Sequence, residues 1–310
     1  MSLDPQIKLL VDNLPNGIAL PIGDPIDARN LFRKLTVALR DQQAPAKLAA
    51  IEDTVVPGAT TDQLARIYRP LVDEPSATML FFHGGGWVVG DLESYDLTAR
   101  TIAERTGITV LSVEYRLAPE HKYPAGVEDA LAIADWVLAN TGGLGGDASR
   151  TLVSGDSAGG NFAAIVAQET AGRDVGFSGQ ALLYPVLDLA NDYPSRVEHA
   201  DGPVLTSEVS RWFAELYLDE NDDLFAPRIS PMHSDRVADV APAVVATAGF
   251  DVLRDEGIEY ARRLGDSGVS TTHLHYETLP HGFFGFGPLS AAADAAITEV
   301  CTAIQDLARP

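Results

Sequence analysis

The chain has 310 residues, 46% hydrophobic and 21% charged, which fits a globular protein of one or two domains with a large core. Its 22 basic and 44 acidic residues give a formal net charge of −22, a field that repels nucleic acid and anionic membrane surfaces. No apolar run approaches the roughly 18 residues of a membrane span, and the single cysteine, Cys301, excludes an intramolecular disulfide and fits a cytoplasmic setting.

The first residues, Met1 to Gln6, have neither the basic nor the apolar region of a signal peptide. Only four of the basic residues are lysines, a bias that fits salt adaptation or genome composition equally. Cys301 falls in a C-terminal helical pattern and reads as buried filler. The sequence does not set the oligomeric state; a homodimer is an open candidate.

Residues 1–50 carry a helical pattern (Ile7, Leu9, Leu10, Leu14, then Leu31, Leu35, Val37 to Leu39). Pro15-Asn16-Gly17 and the stretch from Pro21 to Pro25 interrupt it. This part reads as an appendage that either packs on the main domain or lines a pocket. Thr54 to Val56 and Ala65 to Arg69, joined by Pro57-Gly58-Ala59-Thr60, predict a hairpin at a sheet edge. Thr78 to Phe82 is continuously apolar, as a strand covered on both faces must be.

That strand runs into His83-Gly84-Gly85-Gly86-Trp87. Backbone N–H groups that converge on one oxygen need a loop without side chains, so Gly85 and Gly86 are candidate oxyanion donors, with the N–H of Ala158 as a third. His83 reads as a structural hydrogen-bonding residue, and Trp87 as a wall of the acyl or alcohol pocket. A helix is expected over Leu92 to Arg105, a strand over Thr109 to Val113 and a helix over Ala125 to Ala139. Gly142 to Asp147 is glycine-rich but precedes a strand and lacks the Lys-Ser/Thr of a phosphate cradle, so it reads as a loop.

The strand Thr151 to Ser154 leads into Gly155-Asp156-Ser157-Ala158-Gly159 and a small-residue helix. Strand, G-x-S-x-G and helix are the layout of a nucleophile elbow, with Ser157 on a tight turn and glycines where strand and helix crowd together. After a strand at Gln180 to Pro185, residues 187–229 break the alternation and contain one predicted helix, Ser207 to Leu218. This reads as an ordered lid. Trp212 and Phe213 on it either pack on the sheet domain or touch the ligand.

The strand Ala243 to Ala248 leads to Asp251, the first acid beyond a strand end and well placed to hold an imidazole; Asp255 and Glu256 read as acids opening the next helix. On the last strand, His273 to Glu277, both histidines share one face, which reads as a polar sheet edge because further metal ligands are missing nearby. His281, in a loop bounded by Pro280 and Gly282, is the expected general base. A helix over Ala291 to Leu307 closes the chain. Alternating strands and helices predict an α/β fold with a mainly parallel sheet, and Ser157, Asp251 and His281 follow the chain order of the α/β-hydrolase triad.

These residues resemble one family. His83 to Trp87, Tyr115 to Glu120, Gly155 to Asn161, Asp251 to Gly257 and His281 to Phe283 together are similar to the hormone-sensitive-lipase-like carboxylesterases. The resemblance covers residues from about 80 to 285 and departs from the family at no motif position. It implies an α/β-hydrolase catalytic domain (51–186 and 230–310) under a helical cap built from 1–50 and the 187–229 insertion. It further implies hydrolysis of short-chain carboxylic esters, a small-molecule ester substrate, and neither cofactor nor metal, and it supports Asp251 as the acid. An amidase or lactonase would use the same triad. A non-catalytic ligand receptor of this fold would lack the histidine that is present here.

Overall fold

The structure is a computed structural model that describes residues 2–13, 20–72 and 76–309. Leu14 and the predicted break at Pro15-Asn16-Gly17 lie outside the described residues. Eight strands form one sheet: β1 (Leu48–Pro57), β2 (Asp62–Pro70), β3 (Thr78–Phe82), β4 (Thr109–Val113), β5 (Thr151–Asp156), β6 (Gly179–Leu183), β7 (Ala243–Phe250) and β8 (Thr271–Pro280). Their order is β1-β2-β4-β3-β5-β6-β7-β8. β1, β2 and β4 pair antiparallel, and every pairing from β4 to β8 is parallel. The predicted edge hairpin is β1–β2, longer at both ends than its apolar residues indicated.

Alternation along β3 builds the core. Leu80 and Phe82 join one apolar cluster, Met79 and Phe81 the other, so the five-residue strand is buried on both faces. The first face is covered by α4 (Ala125–Asn140), α5 (Ala158–Thr170) and α8 (Arg254–Asp266), through residues such as Ile133, Phe162 and Tyr260. The second is covered by α3 (Asp96–Thr106) and α9 (Ala291–Leu307), with Ile7 of α1 (Pro5–Asn13) added at the end. Cys301 is buried there, as expected.

α3 starts at Asp96 rather than Leu92. Asp91 Oδ1 accepts from both the N–H and the hydroxyl of Ser94, each at 2.7 Å, and this local turn competes with the helix. α2 (Pro25–Arg40) is capped by Asp24, whose side chain accepts from Ile26 N–H at 2.8 Å, and Pro25 sits in its first turn. The 187–229 segment holds two helices, α6 (Pro194–Glu198) and α7 (Ser207–Tyr217), where the sequence predicted only the second. Five residues are too few for a periodic signal. α6 is instead held by distant partners: Asp255 Oδ2 accepts from Ser195 N–H at 2.8 Å, and Ser195 Oγ donates to Val252 O at 2.9 Å. On the edge strand β8, His273 and His275 both meet Thr247 Oγ1 at 2.9 Å.

Candidate active site

Three loops leave the sheet at the carboxyl ends of β3, β5 and β7, and a fourth follows β8. β5 ends at Asp156, α5 begins at Ala158, and Ser157 alone makes the turn, with φ +53° and ψ −119°. The turn is possible because its flanks lack side chains. A Cβ on Gly155 would lie 2.2 Å from Gly159 O, and one on Gly159 would lie 2.0 Å from Phe82 O.

His281 reaches both predicted partners. Its Nε2 lies 3.0 Å from Ser157 Oγ and its Nδ1 lies 2.8 Å from Asp251 Oδ2. Asp251 Oδ1 accepts from Leu253 N–H at 2.9 Å, which fixes the rotation of the carboxylate. All three side chains are nearly buried. Burial pulls the His281 imidazole toward its neutral form. The charge and hydrogen bond of Asp251, with added negative charge from Asp156 and Glu256, outweigh this and leave its pKa above the ordinary 6.5. Asp255 is engaged elsewhere, accepting from Ser195 and from Arg254 Nε at 2.7 Å.

The glycine loop after β3 is bent as sequence chemistry requires. Gly85 has φ +107° and Gly86 φ +59°. A Cβ on Gly85 would meet Val89 O at 2.1 Å, and one on Gly86 would meet the Phe213 ring at 2.2 Å. Among the described residues, none accepts a hydrogen bond from the N–H groups of Gly85, Gly86 or Ala158. His83 is stacked on Tyr115 with ring centroids 4.4 Å apart, and its Nδ1 lies 2.8 Å from Gly84 O. Burial drives its pKa down to about 4, so it stays neutral and holds the loop.

Gly85, Gly86, Ser157 and His281 border one cavity of about 160 Å³. Among the described residues, three non-glycine residues have positive φ (Trp87, Ser157 and Tyr184), and all three line this cavity. Backbone strain is thus concentrated where the chemistry is expected. Trp87 stacks on Tyr217 of α7 with centroids 4.4 Å apart, and Phe213 lies over Gly86. Trp212, which the sequence left between packing and ligand contact, does not border this cavity and packs against Phe213, centroids 5.2 Å apart. Adjacent residues on a helix point about 100° apart, so only one of the two faces the opening.

Of the two roles left open for residues 1–50, the structure shows pocket lining, whereas Arg29 and Asp156 were not singled out in the sequence. α2 supplies Phe32, Leu35, Thr36 and Leu39 to the cavity wall. Arg29 holds that helix in place, donating to Val88 O and Ala118 O, each at 2.8 Å, and pairing with Glu120 at 2.7 Å. Asp156 also borders the cavity, and burial raises its carboxyl to about 7 against the opposing Gly84 N–H, His281 charge and Tyr95 hydroxyl. Its position in G-D-S-A-G gave the only sequence signal.

A family model for the alpha/beta hydrolase fold matches residues 79–285. The esterase LipI of Mycobacterium tuberculosis is 37% identical over 98% of this chain and 95% of its own. The ethyl acetate hydrolase of Pseudomonas putida is 32% identical over 98% of this chain and 99% of its own. A hyperthermophilic esterase from the archaeon Pyrobaculum calidifontis superposes with a TM-score of 0.93 at 36% identity, covering 99% of both chains. No helix among the described residues is long and apolar enough to cross a membrane. With kinship along nearly the full chain and a matched segment that carries every strand-end residue above, this protein belongs to the hormone-sensitive-lipase-like family of α/β hydrolases and is a carboxylic ester hydrolase.

Proposed function

We propose that the enzyme hydrolyses short-chain carboxylic esters through an acyl-enzyme on Ser157. The observation that carries this reading is the position of His281, 3.0 Å from the serine hydroxyl and 2.8 Å from the Asp251 carboxylate, beside a cavity bordered by Gly85 and Gly86. His281 Nε2 takes the Ser157 proton as Oγ attacks the ester carbonyl. Asp251 keeps the other proton on Nδ1 and stabilises the imidazolium. The N–H groups of Gly85, Gly86 and Ala158 bind the oxyanion, each donor contributing about 2.7–4 kcal/mol in the transition state. His281 protonates the departing alkoxide, and water then cleaves the acyl-enzyme by the same route.

Small substrates are favoured by a cavity of about 160 Å³, well below the roughly 300–1,000 Å³ of drug-sized sites. The Pseudomonas putida relative named for ethyl acetate supports the same choice. Residues 1–50 and 187–229 are proposed as a cap on the catalytic domain (51–186 and 230–310), because α2 and α7 both lend residues to the cavity wall. A cytoplasmic setting goes with this reading, supported by a single, buried cysteine.

The test is turnover of p-nitrophenyl esters from acetyl to dodecanoyl, with wild type and Ser157→Ala. We expect a maximum among the short acyl chains, loss of turnover in the variant, and fluorophosphonate labelling of wild type only. A folded Ser157→Ala enzyme that still turns over ester overturns the reading.

A further inference from the structure

We propose that Asp156 is a positioning residue for this hydrolysis: its carboxylate fastens the glycine loop after β3 to the nucleophile elbow after β5, and it faces His281 as a second carboxylate beside Asp251. The inference rests on the esterase reading above and adds a residue that the triad does not need for its own hydrogen bonds.

The attachment is local and tight. β3 and β5 are hydrogen-bonded neighbours, with Phe82 opposite Gly155. One step beyond the ladder, Asp156 Oδ1 accepts from Gly84 N–H at 2.8 Å, tying the two loops together where strand pairing ends. Oδ2 accepts from the Tyr95 hydroxyl at 3.3 Å. A methyl group on Gly84 would come within 2.8 Å of Oδ2 and 2.7 Å of that hydroxyl, so the loop lies as close to the carboxylate as a backbone can. Gly85 and Gly86 follow directly, so an anchor at Gly84 N–H limits where their N–H groups stand relative to Ser157.

Structure alone does not call for an acid here. An amide or hydroxyl would accept the Gly84 N–H at lower desolvation cost than a carboxylate that is 4% exposed. The negative charge has an electrostatic counterpart in the site. The titratable groups that face Asp156 are Tyr95, Tyr115 and Tyr184, all held protonated by burial, and the His281 imidazole. Asp251 and Glu256 also act on His281. Asp156 therefore strengthens the field under the imidazolium that forms during acyl transfer.

The experiment compares wild type, Asp156→Asn and Asp156→Leu for kcat, KM and the pH profile on p-nitrophenyl butyrate, with active sites counted by fluorophosphonate titration. Asp156→Leu should lose about tenfold or more in kcat at little changed KM, since the loop donors act on the transition state. Asp156→Asn keeps an acceptor for Gly84 N–H and should recover most of that loss. Its acid limb in kcat/KM should still move to lower pH, because His281 has lost a neighbouring negative charge. A role confined to holding the fold moves neither the acid limb nor the split between kcat and KM. Wild-type kcat in Asp156→Leu, or an acid limb in Asp156→Asn at the wild-type position, overturns the proposal. Should Asp156→Leu fail to fold by circular dichroism, the acid limb of Asp156→Asn decides alone. Wild type that neither turns over ester nor labels at Ser157 would instead break the underlying reading, a result separate from active wild type with indifferent variants.

Discussion

Replacing Asp251 by asparagine asks whether His281 needs a carboxylate or only a partner. The two carboxylate oxygens have different tasks. Oδ1 accepts from Leu253 N–H at 2.9 Å, and Oδ2 lies 2.8 Å from His281 Nδ1. In the variant, the amide oxygen must keep the Leu253 bond, which turns the NH₂ group toward Nδ1. Nδ1 is then forced to accept, the ring proton moves to Nε2, and Nε2 meets Ser157 Oγ as a donor, unable to take its proton. A wrong tautomer of this kind costs about 10⁴-fold in kcat, or about 5.4 kcal/mol at 1.36 kcal/mol per factor of ten. The assay is kcat/KM on p-nitrophenyl butyrate, corrected for active sites, beside Asp255→Asn as a control. Asp255 binds Ser195 and Arg254 rather than His281, so that variant should stay within a few-fold of wild type. The reasoning fails if Asp251→Asn retains more than a tenth of wild-type activity, or if Asp255→Asn suffers the larger loss.

Gly86→Ala would set a methyl 2.2 Å from Phe213 ring carbons at a residue with φ +59°; kcat should fall about 10²- to 10³-fold, as on loss of one oxyanion donor, and unchanged kcat would deny this loop its role. Phe213→Ala should extend the acyl-chain profile toward longer esters, whereas Trp212→Ala should leave that profile alone, and the opposite pattern would mean that Trp212 enters the site. The Arg29 guanidinium holds the Glu120 carboxyl down to about 2 from an ordinary 4.5. This contribution to stability is complete above 4.5 and lost as pH falls toward 2. Glu120→Gln should therefore lower unfolding free energy modestly at neutral pH, by less than about 1 kcal/mol for a half-exposed pair, with the difference from wild type in denaturant melts closing in acid; a gap that widens there would contradict the assignment.

The parts of the site closest to the sheet could be read in advance. Buried strands advertise themselves as apolar runs, and chemistry is carried by the first polar or glycine residues after them, so Ser157, Asp251, His281 and the loop from His83 to Trp87 were found together. What escaped depended on contacts far apart in sequence. Nothing local tells that Arg29 would reach Val88, Ala118 and Glu120, and without those bonds α2 is only an amphipathic helix with no known address. Trp212 and Phe213 gave the same signal as neighbours on a helix, and only the docking of α7 separated them. The start of α3 was misplaced because a turn centred on Asp91 and Ser94 outbids helix propensity, and Asp156 passed as the variable letter of a motif although its partner, Gly84, lies 72 residues away.

The adjacency of β3 and β5 has a consequence for how such an enzyme can change. The attacking oxygen and the donors that receive the incipient anion emerge from two chains zipped side by side, so the ladder, with the Gly84–Asp156 bond just beyond it, sets the frame for their spacing. Slippage by a single residue would move one partner about 3.3 Å and turn its side chains over, which makes that spacing an all-or-nothing property. The helices that close the opening come from remote stretches of chain and answer to no such clockwork. Selectivity can therefore be rewritten in α2 and α7 while the reacting atoms keep their geometry.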